Sequence, residues 1–222
     1  RVGRANVHET GGYCPINAWW DGTDWHFCDG DGTIANEFCV LDIAAHEYGH
    51  ALTQYTSDLV YANEPGALNE AYSDIIGVAA EFWVQPDGTG SYPNATPGHD
   101  DWLAGEDTWV TDVAMRDLRN PQRYQQPSYY HGTHWYFGSA DNGGVHTNSG
   151  VANFAYYLLA EGCSGSCVND GHAYDPITGI GISAATEVAW LANSVYHTSN
   201  DQYSDARNAW ISAAADLGYP TA

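Results

Sequence analysis

His46-Glu47-Tyr48-Gly49-His50 constrains this chain more than any other run of its residues. From Asp42 to about Ser57 the sequence is poor in Gly, and Ile43, His46 and His50 fall three and four residues apart, a spacing that predicts a helix. On a helix, two His at i and i+4 project from one face about a turn apart, so both imidazoles reach one cation. Glu47, beside the first, is placed to act on a water held there. The pattern alone also arises by chance, and its plain alternative is two His on an amphipathic helix. A catalytic zinc needs three protein ligands and one open position. Glu70, in Asn69-Glu70-Ala71-Tyr72-Ser73-Asp74, can be the third, because the 20 residues after His50 let a second helix, about Ala67 to Trp83, turn back beside the first. Asp74, one turn after Glu70, can accept the outer N–H of a ligand His and hold its tautomer.

The remaining sequence excludes several classes. Apolar residues are 44% of 222 and aromatic residues 14%, so the chain is neither disordered nor low-complexity. It has 28 acidic residues, six Arg and no Lys, a formal charge of −22, which makes nucleic acid and anionic membrane poor partners. No apolar run reaches the roughly 18–20 residues needed to span a bilayer. Five Cys, with Cys163 and Cys167 close enough for a local bridge, suit an oxidising compartment and favour secretion. Pairing among Cys14, Cys28 and Cys39 stays open. Asn17-Ala18-Trp19-Trp20 and Trp25-His26-Phe27 flank Asp21-Gly22-Thr23-Asp24, a hairpin signal within a β-type stretch over residues 1–41. Residues 86–145 show little periodicity, and a stretch that long is functional or pinned by a ligand. Helices are expected at about His146–Glu161, Ala184–His197 and Tyr203–Leu217. The expected division is a β segment plus the first helix over 1–64 and a mainly helical lobe over 65–222, with the cleft between them.

His46 through Ser57, Leu59-Val60-Tyr61, Gly66 through Asp74 and Asp141-Asn142-Gly143-Gly144-Val145-His146-Thr147-Asn148-Ser149-Gly150 together resemble the thermolysin family of secreted zinc endopeptidases. The resemblance implies an α+β, thermolysin-like zincin fold: a short N-terminal β segment with a substrate-binding edge strand, two zinc-binding helices and a helical C-terminal lobe. It implies zinc on His46, His50 and Glu70, Glu47 as general base, Tyr61 and His146 as donors to the oxyanion, and Asp141 orienting His146. Arg116 would hold a substrate carbonyl. Asn17, Ala18 and Asn142 would bind substrate, Asn17 and Ala18 by pairing with its main chain, and Ile43 and Met115 would line a pocket, made roomier by Ala104, for a hydrophobic residue after the scissile bond. One calcium is expected on Asp42, Glu81, Asp101 and Glu106 with the carbonyl of Leu103, where two-calcium members carry another acid.

The implied activity is a monomeric, secreted zinc endopeptidase acting on proteins or peptides. The family places a β-rich lobe before the zinc helices, and only 45 residues precede His46 here, so a cleaved propeptide or N-terminal lobe is an expected partner. Two competing readings are a zinc- and calcium-bearing domain that binds peptides or walls without cutting, and a small-peptide hydrolase on the same scaffold. His26, His99, His131, His134, His172 and His197 are expected to be surface or structural.

Overall fold

In the computed structural model, which describes residues 5–6, 16–84, 101–111 and 113–219, helices α1 (Leu41–Gln54) and α2 (Asn63–Val84) pack antiparallel along their length. Two glycines permit the close approach. A Cβ on Gly49 would lie 2.7 Å from the Cα of Ser73, and one on Gly77 would lie 2.7 Å from the carbonyl oxygen of Asp42. Thirteen of the 22 residues of α2 are buried, so this helix is core, and each polar side chain on it needs a partner. Helix α2 begins four residues earlier than its periodicity predicts. Pro65 and Gly66 lie in its first turn, where a missing N–H costs nothing.

A small sheet in the order β1-β3-β2 lies beside α1, built from Ala5–Asn6 (β1), Ala18–Trp20 (β2) and Trp25–Phe27 (β3). The expected hairpin is present, with Ala18 opposite Phe27 and Trp20 opposite Trp25. Among the described residues strand β2 pairs on one side only, which leaves an edge facing the cleft. A small apolar cluster of Ala18, Phe27, Ala35, Phe38 and Ile43 joins this sheet to α1. A larger one centred on Leu68, Tyr72, Ile75 and Val78 of α2 takes in Trp102, Leu118 and Tyr156 and forms the core of the helical lobe.

Beyond α2, the pair β4 (Leu103–Ala104) and β5 (Arg116–Asp117) folds against it. Helix α3 (Asp141–Asn148) leads through Ser149 to α4 (Gly150–Glu161). The expected helix from His146 is therefore two segments. Asp141, Asn142, Gly143 and Gly144 all have positive φ, so the chain enters α3 through a left-handed turn that Asn and Gly tolerate. Between α4 and α5 lie two short pairs that periodicity does not predict, β6 (Gly162–Cys163) with β9 (Ile177–Thr178) and β7 (Cys167–Asn169) with β8 (His172–Tyr174). The Cys163–Cys167 disulfide links them. Cys28 is also disulfide-bonded, and Cys39 carries a free thiol. Helix α5 (Ile182–Leu191) continues as a π-helical turn over Ala192–Tyr196, and α6 (Tyr203–Asp216) starts from a capping box of Gln202 and Asp205. Among the described residues no helix is long and apolar enough to cross a membrane.

Candidate active site

One face of α1 presents His46 and His50, and α2 presents Glu70 opposite them. Buried Asp74 accepts at its carboxylate from His46 Nδ1 at 2.8 Å, from Arg116 Nε and Nη2 at 2.7 and 2.6 Å, and from Asn153 Nδ2 at 2.8 Å. Burial alone would favour the neutral acid. The Arg116 charge and the His46 contact outweigh it and hold Asp74 far below the usual carboxylate range. A carboxylate can only accept here, so His46 carries its proton on Nδ1. His50 Nδ1 donates to Asn69 Oδ1 at 2.7 Å, and the orientation of that amide is set by Asn69 Nδ2 donating to the Leu59 carbonyl at 3.1 Å.

In the neutral imidazoles both inner nitrogens therefore offer lone pairs, and the two Nε2 atoms face each other at 3.0 Å. Glu70 Oε2 lies 3.5 Å from one and Oε1 3.4 Å from the other. Lone pairs and a carboxylate converging in a buried space repel unless a cation lies between them, and Glu70 Oε2 is buried without a hydrogen-bond donor. Two imidazole nitrogens and one carboxylate are the donor set that zinc accepts. Burial opposes a charged imidazole at His46, but Asp74, Glu70 and Glu47 raise it to about 9, which measures how strongly this space attracts positive charge. Glu70, despite its burial, is lowered to about 2 by His50, His146, His46 and Arg116.

Glu47 is buried beside His46 and lines the same cleft, its Oε2 without a donor. Tyr61, in the connection between α1 and α2, donates its hydroxyl to Glu70 Oε1. Burial, then the Glu70 charge, push the Tyr61 hydroxyl well above its ordinary range, so it stays a donor. His146 approaches from α3, its Nε2 at 3.3 Å from the Tyr61 hydroxyl and 3.3 Å from Glu70 Oε1. Asp141 accepts from His146 Nδ1 at 2.6 Å and from its backbone N–H at 3.0 Å, a reach of five residues that the left-handed turn makes possible. Glu47, Tyr61, Glu70 and His146 border a cleft of about 620 Å³.

Residues 57–221 match the family model described as thermolysin metallopeptidase, alpha-helical domain, and residues 3–54 the one described as thermolysin metallopeptidase, catalytic domain. The chain belongs to the thermolysin metallopeptidase family. It is 40% identical over 218 residues to a bacillolysin of Bacillus caldolyticus and 39% identical over 218 residues to a thermolysin of Alicyclobacillus acidocaldarius subsp. acidocaldarius, covering in each case 96% of this chain and 36% of the relative. The chain thus spans about a third of the length of the curated relatives it matches. In fold it is similar to the precursor of protealysin, a metalloproteinase from Serratia proteamaculans, with a TM-score of 0.67 and 23% identity, over 91% of this chain and 60% of that one.

Thermolysin-family proteins carry zinc and calcium, and a second cluster suits the harder cation. One ligand atom each from Asp42, Glu81 and Glu106 lie within 4.8 Å of one another. Both carboxylate oxygens of Glu81, Oδ2 of Asp101 and Oε2 of Glu106 are buried without donors. Burial first, then mutual repulsion, push Glu81 up to about 11 and Glu106 to about 9; Asp101 rises to about 6, mainly through burial. Asp42 is raised mainly by burial. Several oxygen donors with no hydrogens to share are what calcium takes. Leu103 is buried beside this cluster, its N–H donating to Asp101 Oδ1 at 2.6 Å.

Ile43, Met115, Ala18 and Asn17 line the cleft, and a Cβ on Gly105 would lie 2.5 Å from Met115 Sδ and 3.4 Å from Ile43 Cδ1. Arg116 also lines it, with Nε and Nη2 committed to Asp74. Asn142 is exposed on the left-handed turn, outside the cleft lining. Sequence reasoning missed Asn69 as the partner of His50; its only signal was adjacency to Glu70. Of the unassigned His, His197 is structural, buried between the Tyr72 hydroxyl at 2.7 Å and Asp201 at 2.9 Å, and His26 stacks on Trp19. His99 lies outside the described residues.

Proposed function

We propose that this chain is the catalytic part of a zinc endopeptidase that cuts proteins before a hydrophobic residue. The observation that carries the reading is the pair of His Nε2 lone pairs meeting the Glu70 carboxylate, with Glu47 adjoining. Held by His46, His50 and Glu70, zinc would supply a Lewis acid that acidifies a water and polarises a carbonyl. Glu47 accepts the water's proton and returns it to the leaving amine. Tyr61 and His146 donate to the charge that develops on the scissile carbonyl oxygen, and Asp141 supports the protonated imidazole through Nδ1. The free edge of β2, with Asn17 and Ala18, pairs with the substrate main chain. Arg116, anchored on Asp74, and exposed Asn142 bind the substrate beyond the cut. Ile43 and Met115 receive the hydrophobic side chain.

One calcium, on Asp42, Glu81, Asp101, Glu106 and the Leu103 carbonyl, braces the floor of that pocket, because Gly105 donates its N–H to Asp42. The protein is secreted and monomeric, with the active-site cleft between residues 1–64 and 65–222, and is matured from a precursor, as the similar protealysin structure is that of one. Hydrolysis of a generic protein substrate, lost on zinc chelation and restored by zinc, is the expected result. A Glu47→Ala protein that retains full activity overturns the mechanism.

A further inference from the structure

The cleft has two chemically different ends. Helix α1 floors it with Ile43, His46, Glu47, His50 and Gln54, in that order. At 1.5 Å per residue, Gln54 lies about 9 Å along the helix from the midpoint of the His pair, on the side away from Ile43. Strand β2 crosses in the same sense: Ala18 shares the apolar cluster of Ile43, and Trp20 Nε1 donates to Gln54 Oε1 at 2.7 Å. The Ile43 end is apolar, with Phe38 and Met115. The Gln54 end is walled by Trp20 and Asp58.

Asp58 differs from the other acids of the cleft. Glu47 and Glu70 belong to the zinc centre, and Asp21 is occupied by the backbone N–H groups of Thr23 and Asp24 and by His26. The carboxylate of Asp58 is exposed and has no partner among the described residues. It also sits at φ +54°, where its backbone N–H closes the end of α1 on the Thr53 carbonyl at 2.8 Å. Asp is among the residues that tolerate this left-handed position, as Gly and Asn also do, and it brings a charge to it. The C-terminal end of α1 adds partial negative charge, with no basic residue in its last turn to offset it.

We infer that Asp58 selects substrates carrying an Arg or Lys side chain on the amino-terminal side of the scissile bond. This rests on the endopeptidase reading, which puts the hydrophobic residue after the cut at the Ile43 end. An extended peptide advances about 3.3 Å per residue, so a side chain reaching the Gln54 end comes from within about three residues of the bond. The Asp58 carboxylate meets the cation, and the Trp20 ring flanks its stem.

The test compares kcat/KM for two quenched-fluorescence peptides with Leu after the scissile bond, identical except for Arg or Gln three residues before it. The wild-type protein is expected to favour the Arg peptide about fivefold, as an exposed ion pair supports. The preference should shrink in 0.5 M salt and vanish in Asp58→Asn and Asp58→Gly, with turnover of the Gln peptide unchanged. Both replacements suit a left-handed residue, so the variants should melt where the wild type does. Equal rates on the two peptides, or a preference that survives in both variants, overturns the inference alone. A protein that cuts neither peptide overturns the endopeptidase reading and this inference with it.

Discussion

Helices α1 and α2 build two clusters of potential metal ligands with opposite electrostatics. At one, Glu70 and Asp74 are held low because His46, His50, His146 and Arg116 surround them. At the other, four residues back along α1 and eleven residues on along α2 from Glu70, Asp42, Glu81, Asp101 and Glu106 are raised by burial and repulsion. In the first, imidazoles and the Arg116 guanidinium stand among the acids and keep them ionised. The second is a concentration of buried acid that only a cation or protons can neutralise. Burial of a carboxylate therefore says little about its state until its neighbours are counted.

Several experiments test this contrast. The largest effect is expected from Glu47→Gln: activity should fall about 10²- to 10⁴-fold, while zinc content and calcium-dependent stability stay as in the wild type. Parallel assays of peptide hydrolysis, metal content and melting temperature check it. Removing calcium with a chelator that spares zinc should come next. Free calcium about a thousandfold above its Kd is worth about 4 kcal/mol, roughly 10 °C in Tm for a chain of this size.

The pH dependence of the calcium-free protein has a definite sign. Its carboxyls hold protons in the fold at pH values where the unfolded chain has released them. Stability present below the ordinary carboxylate range is thus lost as pH rises through about 6 for Asp101, about 9 for Glu106 and about 11 for Glu81. Calcium should flatten that decline; a calcium-free melting temperature that rises between pH 5 and 8 would contradict it.

A smaller effect is expected at the zinc centre from Asn69→Ala, which leaves His50 Nδ1 without its acceptor. Zinc affinity should weaken about 10- to 100-fold by competition titration, with little change in calcium dependence. The smallest and most diagnostic effect is Glu81→Gln, which should stabilise the chelated protein and destabilise the calcium-loaded one, by about 1 kcal/mol each way. A change of the same sign in both conditions would mean that Glu81 faces no cation.

The helix of His46 and His50 and the place of Glu70 on the facing helix were legible because both depend on spacing along the chain, and α-helical periodicity is visible in one dimension. The edge strand at Ala18–Trp20 was legible for the same reason, as aromatic runs around a Gly-containing turn. The strands between α4 and α5 were not, since two or three residues carry no measurable alternation. Nor was the first turn of α2: Pro65-Gly66 reads as a loop until one sees that the first turn of a helix does not use the N–H that proline lacks.

Residue type and helical spacing set which atoms could bind a metal, because they fix what donors one face can offer. The state of those donors follows from packing in three dimensions. Asn69 and Asp74 lock the two tautomers, Arg116 keeps Asp74 ionised from 42 residues away, and Gly49 lets the two helices close until the donors meet. These effects depend on distance and burial in three dimensions, and chain spacing does not encode either.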